Sequence, residues 1–298
     1  MTDTELDGFL QNLRSERQCS DHTLSSYRRD LQRLQRYAEA NHLAGWDTIR
    51  ARDIRAFVAE AHREGLSGKS IQRLLSAIRT FYRYLNRESL ASQNPALGVS
   101  APKSPRRLPR TLDADQLGQL LEIPVEDAVS ARDCAMMELI YSSGLRLAEL
   151  VSLDLGDVDF HDASLVVTGK GRKTRMLPVG GKAIDALDVW LRWRPSLIRG
   201  EEPALFVSSR GTRISTRAVQ QRLAHWGRIQ ATDGQVHPHR LRHSFASHLL
   251  ESSGDLKAVQ ELLGHADIAT TQVYTHLDFQ HLADVYDRAH PRARKKHD

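Results

Sequence analysis

A proline-rich segment at the end of the first third of the chain divides the sequence into two parts. Residues 94–110, NPALGVSAPKSPRRLPR, contain four prolines, which interrupt helices and remove hydrogen-bond donors from a β-ladder. Because neither a helix nor a strand can continue through this segment, we interpret it as a linker. The predicted boundaries are an N-terminal domain over 1–97, a basic linker over 98–110 and a second domain over 111–298.

The N-terminal part has apolar residues at helical spacing and no strand pattern. We predict four helices, over 5–17, 20–41, 52–65 and 67–86. The fourth carries an apolar stripe on one side and basic residues on its other faces. These basic residues form either a solvated surface or a contact surface for a polyanion, and they are Lys69, Arg73, Arg79, Arg83 and Arg87.

Positive charge is concentrated in the first 110 residues. They contain 19 Lys and Arg against 12 Asp and Glu, whereas the remainder contains 23 against 25. Because phosphate contacts supply most of the sequence-independent affinity for nucleic acids, this asymmetry favours a nucleic-acid partner for the N-terminal part. Charge that only keeps the chain in solution is the alternative.

Composition restricts the class of protein further. At 298 residues, 40% hydrophobic and 27% charged, the chain is expected to form two globular domains. We expect a cytoplasmic protein without a membrane partner, because no apolar stretch reaches the roughly 20 residues of a membrane span and the start lacks the order of a signal peptide. Cys19 and Cys134 lie far apart without CxxC spacing, so neither a disulfide framework nor a cysteine zinc site is expected.

The second part is predicted to be mostly helical with one short meander. Only residues 157–179 combine β-branched and apolar residues with turn signals. Thr111 or Asp113 is a candidate N-cap for the first helix of this part. Further helices are predicted over 184–193, 217–228, 238–250, 256–263 and 277–289. The predicted fold class is therefore mainly α, with an N-terminal helical bundle and a mostly helical domain that contains a small antiparallel β-sheet.

Residues 239–248, HRLRHSFASH, gather cationic groups on one predicted helix. His239 and His243 have the spacing of a zinc-protease motif, but that motif is HExxH, and here the residues between them are Arg-Leu-Arg. A phosphate site fits better, because His239 and Arg242 lie one turn apart and can approach the same anion. The residues predicted to face the core are Leu241, Phe245 and Leu249.

A second cationic candidate lies in SSGLRLAEL, residues 142–150. Arg146 follows a glycine at a predicted helix start, and Glu149 is one turn later, where it can orient the guanidinium. Pairs of this kind are usually exposed and contribute only about 0.3 kcal/mol, so this motif has little weight by itself.

Two further segments carry candidate groups. In LLGHADIATTQVYTH, Gly264 is predicted to end a helix directly before His265, and Tyr274 follows nine residues after that histidine. In TGKG, Lys170 lies at a predicted hairpin tip, where a lysine ordinarily serves solubility. The stretch GKGRKT lacks the GxxxxGK[ST] spacing of a P-loop, so no nucleotide site is predicted.

Together, GLRLAEL, GKG, HRLRH and LGH followed by Tyr274 resemble the tyrosine recombinase (phage integrase-like) family, and within it the XerC type. The resemblance runs through nearly the whole chain, including the basic linker and the ending LDFQHLADVYDRAHPRA. It implies an enzyme with no metal and no other cofactor. The catalytic residues that it implies are Arg146, Lys170, His239, Arg242, His265 and Tyr274.

The implied reaction is site-specific DNA strand exchange. Tyr274 would attack a phosphodiester and form a 3′-phosphotyrosyl link, while Lys170 would protonate the leaving 5′ oxygen. Cationic side chains suit this chemistry because each preorganised donor is typically worth about 3 kcal/mol at a reacting phosphate. They would also favour the phenolate of a tyrosine, whose unperturbed pKa is about 10.

The resemblance also implies partners. Two domains would clamp a double-stranded DNA recombination site of the dif type, and a XerD-like recombinase would complete a heterotetramer that resolves chromosome dimers during cell division. The septal DNA translocase FtsK is a further candidate partner. Residues 277–289 resemble the element that docks on a neighbouring subunit, although this helix would otherwise cover its own domain.

Other functions would use the same residues. A phage or mobile-element integrase would recombine a different site, a type IB topoisomerase would reseal the strand without a partner duplex, and a DNA-binding regulator would form no covalent adduct. Among residues without a predicted catalytic role, His237, His243 and His248 are expected to pack or hydrogen-bond locally. Trp226 is expected in the core.

Overall fold

The structure of the chain is a computed structural model that describes residues 3–16, 19, 21–102, 111–169, 174–230, 236–264 and 276–293. By its internal contacts the chain forms two compact units, Met1–Arg107 and Leu108–Asp298. Each unit has its own hydrophobic core. Among the described residues, no helix has the length and apolar character that a membrane span requires.

The N-terminal unit is built from four α-helices, and their predicted positions are confirmed to within two residues at each end. The clearest is the fourth helix, which begins after Ser67, whose hydroxyl accepts the N–H of Ser70. Its apolar stripe lies in the core of the unit and packs mainly against the second helix. The helices are α1 (Asp3–Ser15), α2 (Asp21–Ala40), α3 (Ala51–Arg63) and α4 (Gly68–Arg87).

Three basic side chains of α4 bond to other parts of this unit. Arg73 donates two hydrogen bonds to the carboxylate of Asp30 on α2, at 2.8 and 2.9 Å. Arg79 donates to the backbone carbonyls of Ala96 and Val99, which follow the helix. Arg87 donates to carboxylates, including that of Glu16. Arg73 and Arg79 therefore help hold the unit together, whereas the contacts of Arg87 lie at the surface.

The second unit contains eight described α-helices. Asp113 is the N-cap of the first, because its carboxylate accepts the N–H of Gln116 at 2.8 Å; Thr111, the other candidate, is not. The helices are α5 (Ala114–Leu121), α6 (Ala128–Ser143), α7 (Leu147–Ser152), α8 (Gly181–Trp193), α9 (Thr216–Ile229), α10 (Pro238–Ser253), α11 (Leu256–Leu263) and α12 (His276–Ala289).

The predicted meander is confirmed as a three-stranded antiparallel sheet in the order β1 (Val158–Asp159), β2 (Ser164–Thr168) and β3 (Thr174–Pro178). Leu165 pairs with Leu177, and both are buried. Because side chains alternate along a strand, Arg175 lies on the same inner face as Leu177, and it is buried too. A charged side chain on the inner face requires partners within the unit.

The sequence patterns did not predict α6, although this helix is central to the second unit. Fourteen of its sixteen residues are buried. A helix surrounded by protein has no solvent face, so its apolar residues do not follow an amphipathic period. Its buried polar residues bond inside the unit: Asp133 accepts hydrogen bonds from Arg222 and from the indole of Trp226, which lies in the core as predicted.

The last helix, α12, packs on its own domain. Leu282 and Tyr286 are buried in the core of the second unit, and the Tyr286 hydroxyl lies 2.8 Å from the Ser142 hydroxyl of α6. The helix thus covers its own domain in the single chain, and docking of 277–289 on a neighbouring subunit stays a prediction. The side chain of Leu277 lies outside the described residues.

Candidate active site

Glu149, in the first turn of α7, is the centre of the site. Gly144 ends α6 in the left-handed conformation at φ 59°, so that the chain turns into α7 with Arg146 as its N-cap. Glu149 accepts the backbone N–H of Arg146 at 2.8 Å and the guanidinium of Arg146 at 2.9 Å. The prediction that Glu149 orients Arg146 is confirmed.

The expectation that this pair is exposed was wrong. The Glu149 side chain is only 3% exposed, because two further arginines from other elements surround it, whereas Arg146 remains 40% exposed. Arg146 is therefore the guanidinium of this group that is most open to a ligand.

Arg175 on β3 is a partner of Glu149 that is absent from the predicted set. Its two terminal nitrogens bond the two carboxylate oxygens at 2.9 and 3.0 Å, and its Nε donates to the carbonyl of Leu262 at 3.3 Å. The only signal in the sequence was that Arg175 lies within the predicted meander over 157–179. That position indicates neither its burial nor its contact with Glu149.

Arg242 on α10 is the third guanidinium. It donates to the carbonyls of Gly144 and Leu263, and it lies 3.9 Å from the Glu149 carboxylate. Burial, reinforced by the positive charge of Arg146, lowers the pKa of Arg242 to about 10, and this residue stays protonated at neutral pH.

The group carries a net positive charge. Burial by itself would raise the pKa of Glu149, but hydrogen bonds from Arg175 and from the backbone N–H of Arg146 outweigh it and hold that pKa below its usual value. Glu149 is therefore ionised, and the three described guanidiniums leave a surplus of two positive charges. The described contacts of Arg146 and Arg242 engage only part of each five-donor fork, and Arg146 is the more exposed of the two.

The C-terminal end of α11 closes the site. The carbonyls of Leu262, Leu263 and Gly264 accept hydrogen bonds from Arg175, Arg242 and Arg146 in turn. Cations are favoured here because the carbonyls at a helix C-terminus carry partial negative charge. Gly264 ends the helix at φ 61°, as predicted, and a Cβ at this position would come within 3.2 Å of the Arg175 guanidinium.

His239 lies in the first turn of α10, one turn before Arg242, and is exposed. The helix begins after His237, whose ring accepts the N–H of Arg240 at 3.1 Å, and Pro238 occupies the first position. As predicted, His237 bonds locally, whereas His248 lies 3.0 Å from the hydroxyl of Tyr141 on α6. His243 is exposed.

The structure thus brings Arg146 and Arg242 together around Glu149 and places His239 on the same helix as Arg242. The other three predicted residues, Lys170, His265 and Tyr274, lie outside the described residues. Within the described part of the chain, no three His, Cys, Asp or Glu side chains are grouped so as to hold a metal ion.

Comparisons with known proteins agree with this description. The sequence matches the Phage integrase family over residues 110–281 and the N-terminal SAM-like domain of phage integrases over 6–89. It is 56% identical over 296 residues to the tyrosine recombinase XerC of Alcanivorax borkumensis, covering 97% of this chain and 94% of that protein. It is 57% identical over 293 residues to the tyrosine recombinase XerC of Pseudomonas aeruginosa, covering 98% and 96%.

Solved structures show the same fold. The XerH site-specific recombinase bound to a palindromic difH substrate matches with a TM-score of 0.71 at 22% identity, covering 96% of this chain and 84% of that one. A lambda integrase fragment bound to a core site matches with a TM-score of 0.67 at 20% identity, covering 91% and 98%.

The family matches and the XerC relatives identify the chain as a DNA strand transferase of the tyrosine recombinase class, and the mainly helical fold agrees with this. The chain belongs to the phage integrase family.

Proposed function

We propose that this chain is a site-specific recombinase of the XerC type that cuts and rejoins DNA through Tyr274. The observation that carries the proposal is the surplus of positive charge around Glu149, with Arg146 partly exposed beside it. A phosphodiester resists attack because it is an anion, and fixed guanidiniums reduce that repulsion without having to reorganise during the reaction.

The roles follow from the chemistry of each group. Arg146 and Arg242 bind the scissile phosphate, and His239 adds a donor from the start of α10. His265 follows Gly264 in the chain. The carbonyl of Gly264 accepts a hydrogen bond from Arg146, so the residue before His265 is bonded to the site. Lys170 is the general acid.

In the proposed reaction the Tyr274 hydroxyl passes its proton to His265 and attacks the phosphorus. The bond from phosphorus to the 5′ oxygen breaks, the leaving oxygen takes a proton from Lys170, and a 3′-phosphotyrosyl link remains. A 5′ hydroxyl of the partner duplex then gives its proton to Lys170 and attacks this link, and Tyr274 leaves and recovers its proton from His265. The covalent link conserves the energy of the phosphodiester, and the steps above use only the side chains of the chain itself.

The proposed partners are a double-stranded recombination site of the dif type and a XerD-like recombinase in a heterotetramer, with FtsK as the activating translocase. Support comes from the names of the relatives and from the XerH complex with a difH substrate. The proposed place of action is the cytoplasm, and the proposed task is the resolution of chromosome dimers at cell division.

A nicked suicide substrate tests the chemistry. The nick lets a short fragment diffuse away after cleavage, so the covalent complex accumulates and is seen as a shifted band on a denaturing gel. We expect this band with the unmodified chain and none with Tyr274→Phe. Tyr84→Phe, a substitution in the N-terminal unit, is the matched control and should retain the band. Absence of an adduct with the unmodified chain would reject the enzyme in favour of a DNA-binding regulator.

Two further assays separate the remaining functions. Relaxation of supercoiled DNA by the chain alone, without a partner recombinase, would indicate a topoisomerase. Recombination of an element-specific site in place of a dif-type site would indicate an integrase.

A further inference from the structure

We propose that Arg175 is a positioning residue for strand cleavage: it neutralises Glu149, so that Arg146 and Arg242 keep their charge and their remaining donors for the phosphate. The inference rests on the proposed function and adds a residue that the resemblance does not supply.

The geometry of Arg175 supports this role. It is the one described residue that bonds both oxygens of Glu149 through a guanidinium fork, and its third contact is the carbonyl of Leu262 at the end of α11. A bidentate fork fixes the carboxylate in orientation as well as in charge. The carboxylate in turn holds Arg146 by both its backbone and its side chain.

The position of Arg175 in the chain supports it too. It is the second residue of β3, five residues after Lys170, and Leu262 lies three residues before His265. Its contacts therefore join the strand that follows the proposed general acid to the helix that precedes the proposed histidine. Neither Arg146 nor Arg242 contacts β3 through a described hydrogen bond, so Arg175 makes this connection.

The charge balance gives the consequence. With Arg175 present, the described guanidiniums exceed the carboxylate by two charges; without it, they exceed it by one. Without Arg175, only Arg146 and Arg242 would neutralise the negative charge of Glu149, because a buried carboxylate needs charge partners. The loss should appear in the cleavage step, since neutralising a phosphate matters most as charge develops there.

The test measures single-turnover cleavage of the suicide substrate at saturating DNA, together with site binding, from pH 5.5 to 8.5. For Arg175→Gln we expect cleavage about 100-fold slower at neutral pH, in the range found when one preorganised donor is removed. Site binding should change by less than about threefold, since phosphate contacts elsewhere supply most of it. A cleavage rate within threefold of the unmodified chain would overturn the proposal.

The pH profile separates positioning from a loss of packing. In Arg175→Gln the pKa of Glu149 should rise, so protonation removes the uncompensated charge as pH falls. The cleavage rate of the variant, divided by that of the unmodified chain, should therefore increase toward pH 5.5. A purely structural role for Arg175 would leave this ratio flat or lower it as pH falls.

Charge-balanced variants complete the test. Glu149→Gln combined with Arg175→Gln should cleave at least about tenfold faster than Arg175→Gln alone, because the charge that Arg175 compensates is gone. Arg175→Lys keeps the charge but loses the fork, so it should be intermediate in rate with a flat pH ratio. A double variant no faster than the single one would contradict the proposal.

The matched control is Arg213→Gln. Arg213 also bonds a carboxylate, that of Asp154, and backbone carbonyls of Val151 and Leu153, but it has no described contact with Glu149. It should lower thermal stability without a change in cleavage rate. If the unmodified chain forms no adduct, the proposed function fails; if it does and Arg175→Gln cleaves equally well, only this inference fails.

Discussion

The arginines of α4 and those around Glu149 use their charge in different ways. On α4, Arg87 pairs with the exposed carboxylates of Glu16 and Glu88, and its own side chain is 50% exposed. Around Glu149, three described guanidiniums share one carboxylate that is almost completely buried. Water screens the first kind of pair, which contributes little to stability, whereas breaking the second kind leaves a buried charge. The ratio of arginines to carboxylates, together with their burial, therefore indicates an anion-binding site better than the number of arginines does.

Removing a guanidinium from the buried group should have the largest effect and is the strongest test of the difference between the two groups of arginines. For Arg242→Gln we expect cleavage of the suicide substrate to slow by about 10³-fold, equivalent to about 4 kcal/mol in the barrier, because one fixed positive charge is lost where the phosphate reacts. The control is Lys257→Gln, which removes an exposed cation paired with Glu261 on α11. Equal losses in the two variants would show that buried and exposed cations do not differ here.

A second test of the difference is to remove the buried carboxylate. Glu149→Gln leaves buried guanidiniums without their counter-charge, so the free energy of unfolding at pH 7 should fall by about 3 kcal/mol. The folded-state pKa of Glu149 is lowered, so its contribution is present above the unfolded pKa of about 4.3 and is lost as pH falls through the folded value. Urea titrations from pH 7 to pH 3 should show the two chains converging at the acid end. A constant difference across that range would contradict the assignment of this stability to the charged carboxylate.

The smallest expected effect is on the exposed side of the comparison. Arg87→Ala removes a side chain that bonds Glu16 and Glu88 at the surface, and we expect no measurable change in the free energy of unfolding. The measurement is a thermal melt in low and high salt. A clear loss of stability that persists in high salt would mean that the α4 arginines resemble those around Glu149 more than their exposure indicates.

The helices differ in how far sequence patterns could predict them. The bounds of α4 were predicted to within one residue because one face is apolar and the rest is polar. The pattern failed for α6, which is buried on nearly every side. The rule that detects helices depends on contact with water, so it fails for the helix at the centre of a domain.

Sequence patterns likewise predicted only part of the site. Arg146 and Arg242 belong to short motifs, and the pairing of Arg146 with Glu149 follows from their spacing on α7. Arg175 is 26 residues from Glu149 in sequence and lies on a strand. The sequence predicted a meander over 157–179 but neither the buried position of Arg175 nor its partner. The expectation of an exposed Arg146–Glu149 pair failed for the same reason.

Local sequence determined which residue types stand one helical turn apart and where α11 stops at Gly264, because these depend on neighbouring residues alone. The tertiary structure alone decided that α7, α10, β3 and the end of α11 meet at one buried carboxylate. The physical reason is that the lowered pKa of Glu149 and the surplus charge around it depend on groups far apart in the chain. These groups come together only when the chain folds.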